Sequence, residues 1–339
     1  MPTDQLNRPL KDLRISVTDR CNFRCPYCMP AELYGERYQF LPKSQIMTFE
    51  ETTRLTGIFV GLGVTKLRLT GGEPLVRTDV ATLVGMLSIS KGVEDIAMTT
   101  NGYLLPQHAQ ALKDAGLHRV TVSLDSLDDG IYKTLNGRGF GVDKVLEGIQ
   151  SAADAGLTPI KINSVVMKGV NDHSVAELAR WCKDKGYIAR FIEYMDVGNL
   201  NDWQSDQVVS ATEILDRIDA EMPLEAVEPN YLGEVAKRWR YKDGSGEVGV
   251  IASVSNPFCG DCTRARLSTD GNLFTCLFGS VGKDLLGPMR DGATDEEMAN
   301  IINGFWLLRT DRYSELRASM QQPLTVDGKP KVEMFKIGG

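Results

Sequence analysis

A repeated unit organises the chain from Leu13 to about Val197: a short run rich in β-branched residues, a turn, and then a helix-like stretch. Successive runs start roughly 25 to 35 residues apart, a spacing typical of βα units. The predicted strands are Leu13–Thr18, Thr65–Thr70, Asp95–Thr100, Arg119–Asp125, Pro159–Met167 and Ala189–Asp196. Parallel strands with helical crossovers form either an open doubly wound sheet or a barrel, and both architectures bind ligands at the carboxyl ends of the strands.

Helices are predicted between these strands. Thr48 and Glu51 have the spacing of a capping box ahead of an apolar run. A second helix is expected from Val175 to Lys185, and Cys182 lies near its end in an amphipathic pattern. We therefore interpret Cys182 as a structural residue.

The pattern changes after about Met222, where short extended runs alternate with turn sequences at 243–246 and 270–271. A closing helix is predicted from Glu296 to Leu308. We therefore expect two parts, a larger α/β part of residues 1–222 and a smaller α+β part of residues 223–339.

The composition, 42% hydrophobic and 24% charged over 339 residues, is that of a folded chain with a large core. A net charge of -7 argues against nonspecific binding to nucleic acid or to an anionic membrane. No apolar run is long enough to span a bilayer, and the first residues do not resemble a secretion signal. We expect a cytoplasmic protein whose thiols stay reduced.

Six of the seven cysteines fall into two triplets, Cys21, Cys25 and Cys28, and Cys259, Cys262 and Cys276. Each triplet is one ligand short of a closed four-thiolate site, and the three histidines lie elsewhere. Structural zinc sites are almost always closed, whereas sites that do chemistry keep a position open. Two open sites suggest two bound small molecules, although thiolates suit zinc as well as iron-sulfur clusters.

The first triplet lies on one loop directly after the first predicted strand. Three thiolates can hold three irons of a 4Fe-4S cluster and leave the fourth iron free. A free iron of this kind can chelate the amino and carboxylate groups of S-adenosylmethionine, whose one-electron reduction gives an adenosyl radical. The alternative interpretation is a zinc loop or a coincidental cysteine-rich turn.

Five cations lie in predicted strands that are otherwise apolar: Arg14, Lys66, Arg68, Lys161 and Arg190. Lys66 and Arg68 share one face of the second strand because side chains alternate along a strand. Several cations that converge on a buried space indicate an anionic ligand there, and Arg264 and Arg266 would add to the site. Alternatively, each cation faces solvent or pairs with an acid such as Glu73, Asp125 or Glu193.

The first triplet, with Tyr27 before its last cysteine and a Gly-Gly-Glu-Pro run at 71–74, resembles the radical S-adenosylmethionine superfamily, whose fold is a six-stranded partial barrel. The second triplet, together with Arg264 and Arg266, resembles more narrowly the GTP 3',8-cyclases of molybdenum cofactor biosynthesis. This resemblance runs over nearly the whole chain. One departure is Asn7, since relatives commonly have glycine before the arginine at position 8.

The resemblance implies an incomplete six-stranded βα barrel of the TIM type, with a smaller carboxyl-terminal extension that carries a second 4Fe-4S cluster. The implied contacts to S-adenosylmethionine are Tyr27, Gly72, Ser123 and Met195. The implied contacts to GTP are Arg14, Arg68, Thr99, Lys161, Arg264, Ala265 and Arg266, and the second cluster would hold the guanine. The residues implied in catalysis are Arg14, Lys66, Arg68, Arg190, Gly338 and Gly339.

The implied reaction removes the ribose 3' hydrogen of GTP, joins the resulting carbon radical to C8 of guanine, and yields (8S)-3',8-cyclo-7,8-dihydroguanosine 5'-triphosphate. The family also implies a homodimer and a downstream cyclic pyranopterin monophosphate synthase as the enzyme that takes the product. No nucleic acid or membrane partner is expected.

Three other functions are compatible with parts of the pattern. A radical enzyme that modifies a peptide would generally carry more cysteines after residue 222 and lack Arg264 and Arg266. A non-catalytic zinc protein would need closed ligand sets. A nucleotide-responsive regulator would keep the fold without turnover, and the presence of all six cysteine ligands argues against it.

Overall fold

The computed structural model describes residues 1–199, 203–317, 325–326 and 329–338. The strands are β1 Asp12–Ser16, β2 Lys66–Thr70, β3 Asp95–Thr100, β4 Arg119–Ser123, β5 Lys161–Val166, β6 Ile188–Glu193, β7 Leu224–Val227, β8 Lys237–Tyr241, β9 Glu247–Ile251, β10 Arg264–Leu267, β11 Asn272–Phe274, β12 Lys283–Asp284, β13 Thr325–Val326 and β14 Lys329–Pro330. The helices are α1 Phe49–Gly61, α2 Val80–Ser88, α3 Leu105–Asp114, α4 Asp129–Asn136, α5 Asp143–Asp154, α6 Val175–Asp184, α7 Ala211–Asp219, α8 Leu286–Arg290, α9 Asp295–Leu307, α10 Tyr313–Leu316 and α11 Met334–Ile337.

Strands β1 to β6 pair with their neighbours in chain order, and every pair is parallel. The six predicted strands are therefore confirmed, with ends that differ by at most three residues and with β3 matched at both ends. The strand predicted from Pro159 begins instead at Lys161, because proline has no N–H to donate to the sheet.

The region after residue 222 extends the same sheet at both edges. Strand β10 pairs in parallel with β1, and β9 pairs in parallel with β6, so the six predicted strands become eight parallel strands. The full order is β12-β11-β10-β1-β2-β3-β4-β5-β6-β9-β8-β7, a sheet of 12 strands. Strands on both sides of the expected boundary at residue 222 thus share one sheet.

The sheet is strongly curved. Six strand spacings separate β10 from β6, which would place them about 29 Å apart in a flat sheet. Arg264 on β10 and Arg190 on β6 nevertheless line the same cavity. The concave face therefore encloses a lumen, and the helices α1 to α7 cover the convex face.

Alternation along the strands divides the two faces. On β1, Leu13 and Ile15 are fully buried in the core under the helices, while Arg14 between them lines the lumen. The predicted capping box of Thr48 and Glu51 starts α1, and Cys182 on α6 is fully buried in the core. Both predictions are confirmed.

The turns predicted at 243–246 and 270–271 join the antiparallel pairs β8–β9 and β10–β11. The closing helix is α9. Among the described residues, no helix is both long and apolar enough to cross a membrane.

Candidate active site

A cavity of about 340 Å³ occupies the lumen. It is lined by both cysteine triplets, by all five strand cations of the sequence prediction, and by Tyr27, Gly72, Thr99, Ser123, Met195, Arg264 and Arg266. Ala265, in contrast, is fully buried in the core because its side chain points to the other face of β10. Its predicted contact with a nucleotide therefore cannot come from the side chain. Gly339 lies outside the described residues.

The two cysteine triplets lie at opposite openings of the lumen. Cys21, Cys25 and Cys28 follow the carboxyl end of β1, whereas Cys259 and Cys262 precede the amino end of the parallel strand β10. Cys276 follows β11, which runs antiparallel to β10 and so returns to the same opening. The strand cations lie between the two triplets.

The first cysteine loop is held by backbone and by one arginine. The carbonyl of Cys25 accepts hydrogen bonds from the amides of Cys28 at 3.0 Å and Met29 at 2.8 Å. Arg24, which is buried, donates to the carbonyls of Cys21 at 2.7 Å and Tyr34 at 2.6 Å. The three thiols thus project from a fixed turn.

The Gly-Gly-Glu-Pro turn after β2 packs directly against this loop. The amide of Gly72 donates to the carbonyl of Thr18 at 2.8 Å, and the amide of Glu73 donates to the carbonyl of Arg20 at 2.8 Å. A Cβ atom at position 72 would overlap the carbonyl oxygen of Arg20. Glycine is therefore required here by the close approach of two backbone segments.

The chemistry of the first triplet fits an iron-sulfur cluster. Burial, followed by the negative charge of the neighbouring thiolates, raises the pKa of Cys25 well above its ordinary value, and burial raises the pKa of Cys21 to about 12. A strongly cationic group is needed to make all three thiolates. Within the described ranges, no three Cys, His, Asp or Glu side chains are placed to hold one metal ion.

Tyr27 is fixed by a carboxylate at the same opening. Its hydroxyl donates to Asp125 Oδ2 at 2.6 Å, and the amide of Val165 donates to Asp125 Oδ1 at 2.8 Å. Burial raises the pKa of Asp125 to about 6. Nearby, the hydroxyl of Ser253 donates to the sulfur of Met195 at 3.4 Å. The role of Asp125 in orienting Tyr27 had no sequence signal, because the two residues lie far apart in the chain.

The three acids considered as partners of the strand cations are engaged elsewhere. Asp125 holds Tyr27, while Glu73 accepts from Thr100 Oγ1 and from the amide of Asn101, both at 2.7 Å. Glu193 accepts from the amides of Ala211 and Val254, both at 2.7 Å. Pairing with these acids therefore does not explain the cations.

The cations themselves are half-buried around the cavity and repel one another. Burial, followed by the charge of Arg190, lowers the pKa of Lys161 to about 8, and burial with other arginines lowers the pKa of Arg14. Among the residues that the structure describes, Arg68 donates to two hydroxyls, those of Thr99 at 3.1 Å and Thr121 at 3.2 Å.

Two of the arginines predicted to act on GTP carry an unsatisfied buried donor. Arg190 Nε and Arg264 Nη1 have no hydrogen-bond partner in the part of the chain that the structure describes. Unsatisfied donors on a group of mutually repelling cations indicate a polyanionic ligand.

The cations lie nearer the amino ends of the strands than the fold class predicts. Lys66 and Lys161 are the first residues of β2 and β5. Each cysteine triplet is an expected binding position for a ligand, but only the first triplet lies at the carboxyl ends of the parallel strands. The lumen therefore runs the length of the strands and connects the two openings.

Sequence reasoning missed the residues that loops bring to the amino-terminal opening. Arg309 donates to the sulfur of Cys262 at 3.1 Å, and although burial opposes it, the charges of Arg264 and Arg309 lower the pKa of Cys262 to about 6. The ring of Tyr231 lies 3.0 Å from Lys66 Nζ. Neither Arg309 nor Tyr231 belongs to a motif, so no local pattern identifies them.

The carboxyl-terminal segment enters the lumen. Phe335 is buried and meets the ring of Tyr34 edge-on at 5.1 Å. The carbonyl of Gly338 accepts a hydrogen bond from Arg266. Gly338 has φ of 73°, and a Cβ atom there would overlap the methyl group of Thr70, so this position requires glycine.

An open cysteine triplet and a glycine-rich turn at the carboxyl ends of parallel βα strands define the class of radical S-adenosylmethionine proteins. The Radical SAM superfamily model matches residues 15–182, and the Molybdenum Cofactor Synthesis C model matches residues 187–315.

Curated relatives narrow the class. A GTP 3',8-cyclase of Acidothermus cellulolyticus is 51% identical, over 99% of this chain and 98% of the relative. A GTP 3',8-cyclase of Staphylococcus carnosus is 48% identical with the same coverage. The chain belongs to the GTP 3',8-cyclase family, which confirms the resemblance found in the sequence.

Solved structures share the fold at low identity. Crystal structures of Streptococcus suis SuiB, bound to precursor peptide SuiA or to S-adenosylmethionine, align with TM-scores of 0.61 and 0.59. They are 16% and 15% identical to this chain, cover 93% of it, and are themselves covered over 74% and 73%. At this identity the likeness shows the fold alone.

Proposed function

We propose that this protein converts GTP into (8S)-3',8-cyclo-7,8-dihydroguanosine 5'-triphosphate, the first step of molybdenum cofactor biosynthesis. The observation that carries the proposal is the group of mutually repelling cations between two open cysteine triplets, with unsatisfied donors on Arg190 and Arg264. A long polyanion with a ring system at one end fits such a lumen better than a peptide does.

The first triplet would hold a 4Fe-4S cluster, with Tyr27, Gly72, Ser123 and Met195 around S-adenosylmethionine. When bound, this pair supplies the one-electron chemistry that removes a hydrogen atom from the substrate. The second triplet, Cys259, Cys262 and Cys276, would hold a second 4Fe-4S cluster and the guanine.

The strand cations would bind the triphosphate. The lumen is lined in its middle by donors from the five strand cations, Arg14, Lys66, Arg68, Lys161 and Arg190. Two further arginines, Arg264 and Arg266, extend this surface toward the second triplet. Fixing the triphosphate and the guanine separately aligns the ribose between them, which supplies the proximity that the hydrogen transfer needs. Gly338 and Gly339 would complete the wall of the site.

The nucleotide product is an isomer of GTP, while the reaction as a whole consumes S-adenosylmethionine and an external reductant such as dithionite. The 3' hydrogen atom of GTP would leave in 5'-deoxyadenosine, a bond would form between C3' and C8, and one electron from the reductant and one proton from solvent would complete the product. The lumen must exclude water while the substrate is a radical, and the carboxyl-terminal segment contributes to that exclusion.

The family also supports a cytoplasmic homodimer whose product passes to a cyclic pyranopterin monophosphate synthase. Residues 1–222 would carry S-adenosylmethionine, and residues 223–339 would carry the second cluster.

The test is anaerobic incubation of the cluster-loaded protein with dithionite, S-adenosylmethionine and GTP, followed by chromatography of the nucleotides. We expect a new nucleotide with the mass of GTP, and none from the Cys25→Ala variant. Cleavage of S-adenosylmethionine without a new nucleotide would refute the proposed substrate. A peptide-modifying enzyme would give that result.

A further inference from the structure

A cluster of polar side chains holds residues 331–338 against the lumen. We define this tail clamp by five residues: Asp196, Asn199, Arg317, Lys331 and Glu333. The side chain of Lys331 is 0% exposed, and its ammonium donates to Asp196 Oδ2 at 3.0 Å and to the hydroxyl of Tyr313 at 3.2 Å. It also donates to the backbone carbonyl of Asp196.

The second half of the tail clamp pairs two backbone segments. The amide of Asn199 donates to Glu333 Oε1 at 3.1 Å, and the amide of Lys331 donates to Asn199 Oδ1 at 3.0 Å. Gly198 has φ of 65°, and a Cβ atom there would overlap the carboxylate of Glu333. The segment after β6 is thus shaped to receive this stretch of the tail.

The charges of the tail clamp specify one arrangement. Asp196 is a single carboxylate that faces two cations, Lys331 and Arg317, with Arg317 Nε at 2.7 Å from Oδ1. Removing a lysine from water is costly unless it meets a counter-charge. Apolar side chains alone would allow the tail to pack in several registers, whereas the Lys331 ammonium meets its counter-charge in the register that places it beside Asp196. The tail clamp therefore fixes the register of the segment.

The tail clamp lies between the two halves of the site. Phe278, two residues after Cys276, stacks on Tyr313 with centroids 4.4 Å apart, and Tyr313 donates to Asp196. On the other side, Phe335 packs in a cluster with Tyr34, Cys21 and Cys28. The same short segment touches both cysteine loops.

Register matters because Gly338 lies only a few residues beyond Lys331. A slip of one residue moves an extended chain by about 3.3 Å and a helix by about 1.5 Å. Either shift removes the carbonyl of Gly338 from hydrogen-bond distance of Arg266.

We propose that the tail clamp, with Lys331 as its positioning residue, places Gly338 beside Arg266 and thereby couples radical formation to cyclisation of the nucleotide. The coupling part rests on the proposed function, because it needs GTP as substrate. The holding part does not, since it concerns only the position of the tail.

The test compares Lys331→Met with Lys329→Met in the cluster-loaded protein. Lys329 belongs to the same segment but is exposed, so it is a matched control. The first measurement is hydrogen exchange of the amides of residues 334–338. The second is the ratio of 5'-deoxyadenosine to cyclised nucleotide in the presence of GTP.

We expect Lys331→Met to exchange roughly tenfold faster and to raise the ratio roughly tenfold, the scale of one lost charged hydrogen bond. Lys329→Met should match the wild type in both measurements. Glu333→Gln keeps an oxygen for Asn199 and should retain coupling, whereas Glu333→Leu should lose it. If Lys331→Met does not fold, the comparison of Glu333→Gln with Glu333→Leu tests the proposal in its place.

Unchanged exchange in Lys331→Met would overturn the holding role, and faster exchange with an unchanged ratio would overturn the coupling role. A wild type that forms no cyclised nucleotide would refute the proposed function and the coupling with it. Hydrogen exchange would still decide whether the tail clamp holds the tail.

Discussion

Arg266 on β10 donates a hydrogen bond to the carbonyl oxygen of Gly338, 72 residues later in the chain. Burial and the charge of Arg264 lower the pKa of Arg266 to about 10. One backbone carbonyl does not neutralise such a cation. We therefore propose that the carboxyl-terminal segment and the triphosphate of GTP meet the same guanidinium.

Replacement of Gly338 should test whether this residue affects the positioning of GTP for reaction rather than the affinity for GTP. Gly338→Ala forces a side chain into Thr70 at a positive φ. We expect cyclisation to fall roughly a hundredfold, the scale on which a 1 Å misplacement acts, with GTP affinity changed by less than about threefold. Gly139→Ala is the control, because Gly139 also has positive φ but nothing within 4 Å of its added Cβ. Equal losses in both variants would show that backbone strain alone is responsible.

The affinity for GTP should depend on pH through Lys161. Its pKa in the free protein is lowered to about 8, and a bound triphosphate favours the charged ammonium. Below pH 8 the ammonium already exists. Above pH 8 binding must take up a proton, so affinity should fall by up to about tenfold per unit between pH 8 and 9.

Calorimetry in two buffers with different ionisation enthalpies measures that proton uptake. In Lys161→Arg the charge no longer titrates, and the slope should disappear. A slope that persists in this variant would assign the pH dependence to another group.

Removal of one buried cation should stabilise the protein and weaken binding. Arg190→Met removes a guanidinium whose Nε has no partner among the described residues. We expect unfolding of the nucleotide-free protein to cost about 1 kcal/mol more, because mutual repulsion is relieved. GTP affinity should fall ten- to a hundredfold, as for hydrogen bonds to charged groups at about 1.5–3 kcal/mol.

Arg240→Met is the matched control for that experiment, since Arg240 is exposed and pairs with Glu225. It should leave both quantities nearly unchanged. A destabilised Arg190→Met variant would mean that the cation has a structural partner in the free protein.

Iron analysis of cysteine variants should show whether each cysteine triplet binds its own cluster. Two clusters predict about eight irons per chain, and either Cys25→Ala or Cys262→Ala should reduce this to about four. Only Cys25→Ala should abolish cleavage of S-adenosylmethionine, whereas Cys262→Ala should keep some cleavage and lose cyclisation. Cys182→Ala should keep all the iron, because Cys182 is buried in the core. About eight irons in Cys262→Ala would show that Cys262 does not hold a cluster, and about four irons in the wild type would rule out the second cluster.

The sequence predicted those features that have a local signature. The strands β1 to β6 follow from the repeat, and α1 follows from the pairing of Thr48 with Glu51. The convergence of the strand cations follows from alternation, since Arg14 and Arg68 occupy lumen-facing positions of adjacent parallel strands.

Long-range pairings left no such signature. The sequence did not predict that β9 and β10 join opposite edges of the same sheet, because these pairings depend on contacts between residues far apart in the chain. The placement of Arg309 against Cys262 and of Lys331 against Asp196 depends on loops whose paths no local pattern sets. Ala265 shows the reverse case, where a residue in a family motif has its side chain in the core.

The central claim is that this lumen holds GTP with its ribose 3' carbon facing S-adenosylmethionine. The measurement is anaerobic turnover of the cluster-loaded protein with GTP deuterated at that carbon, with mass analysis of the 5'-deoxyadenosine released. We predict one deuterium in that product. If the 5'-deoxyadenosine formed in the presence of the deuterated GTP carried no deuterium, the account would be contradicted. The hydrogen atom would then come from another position or from another molecule.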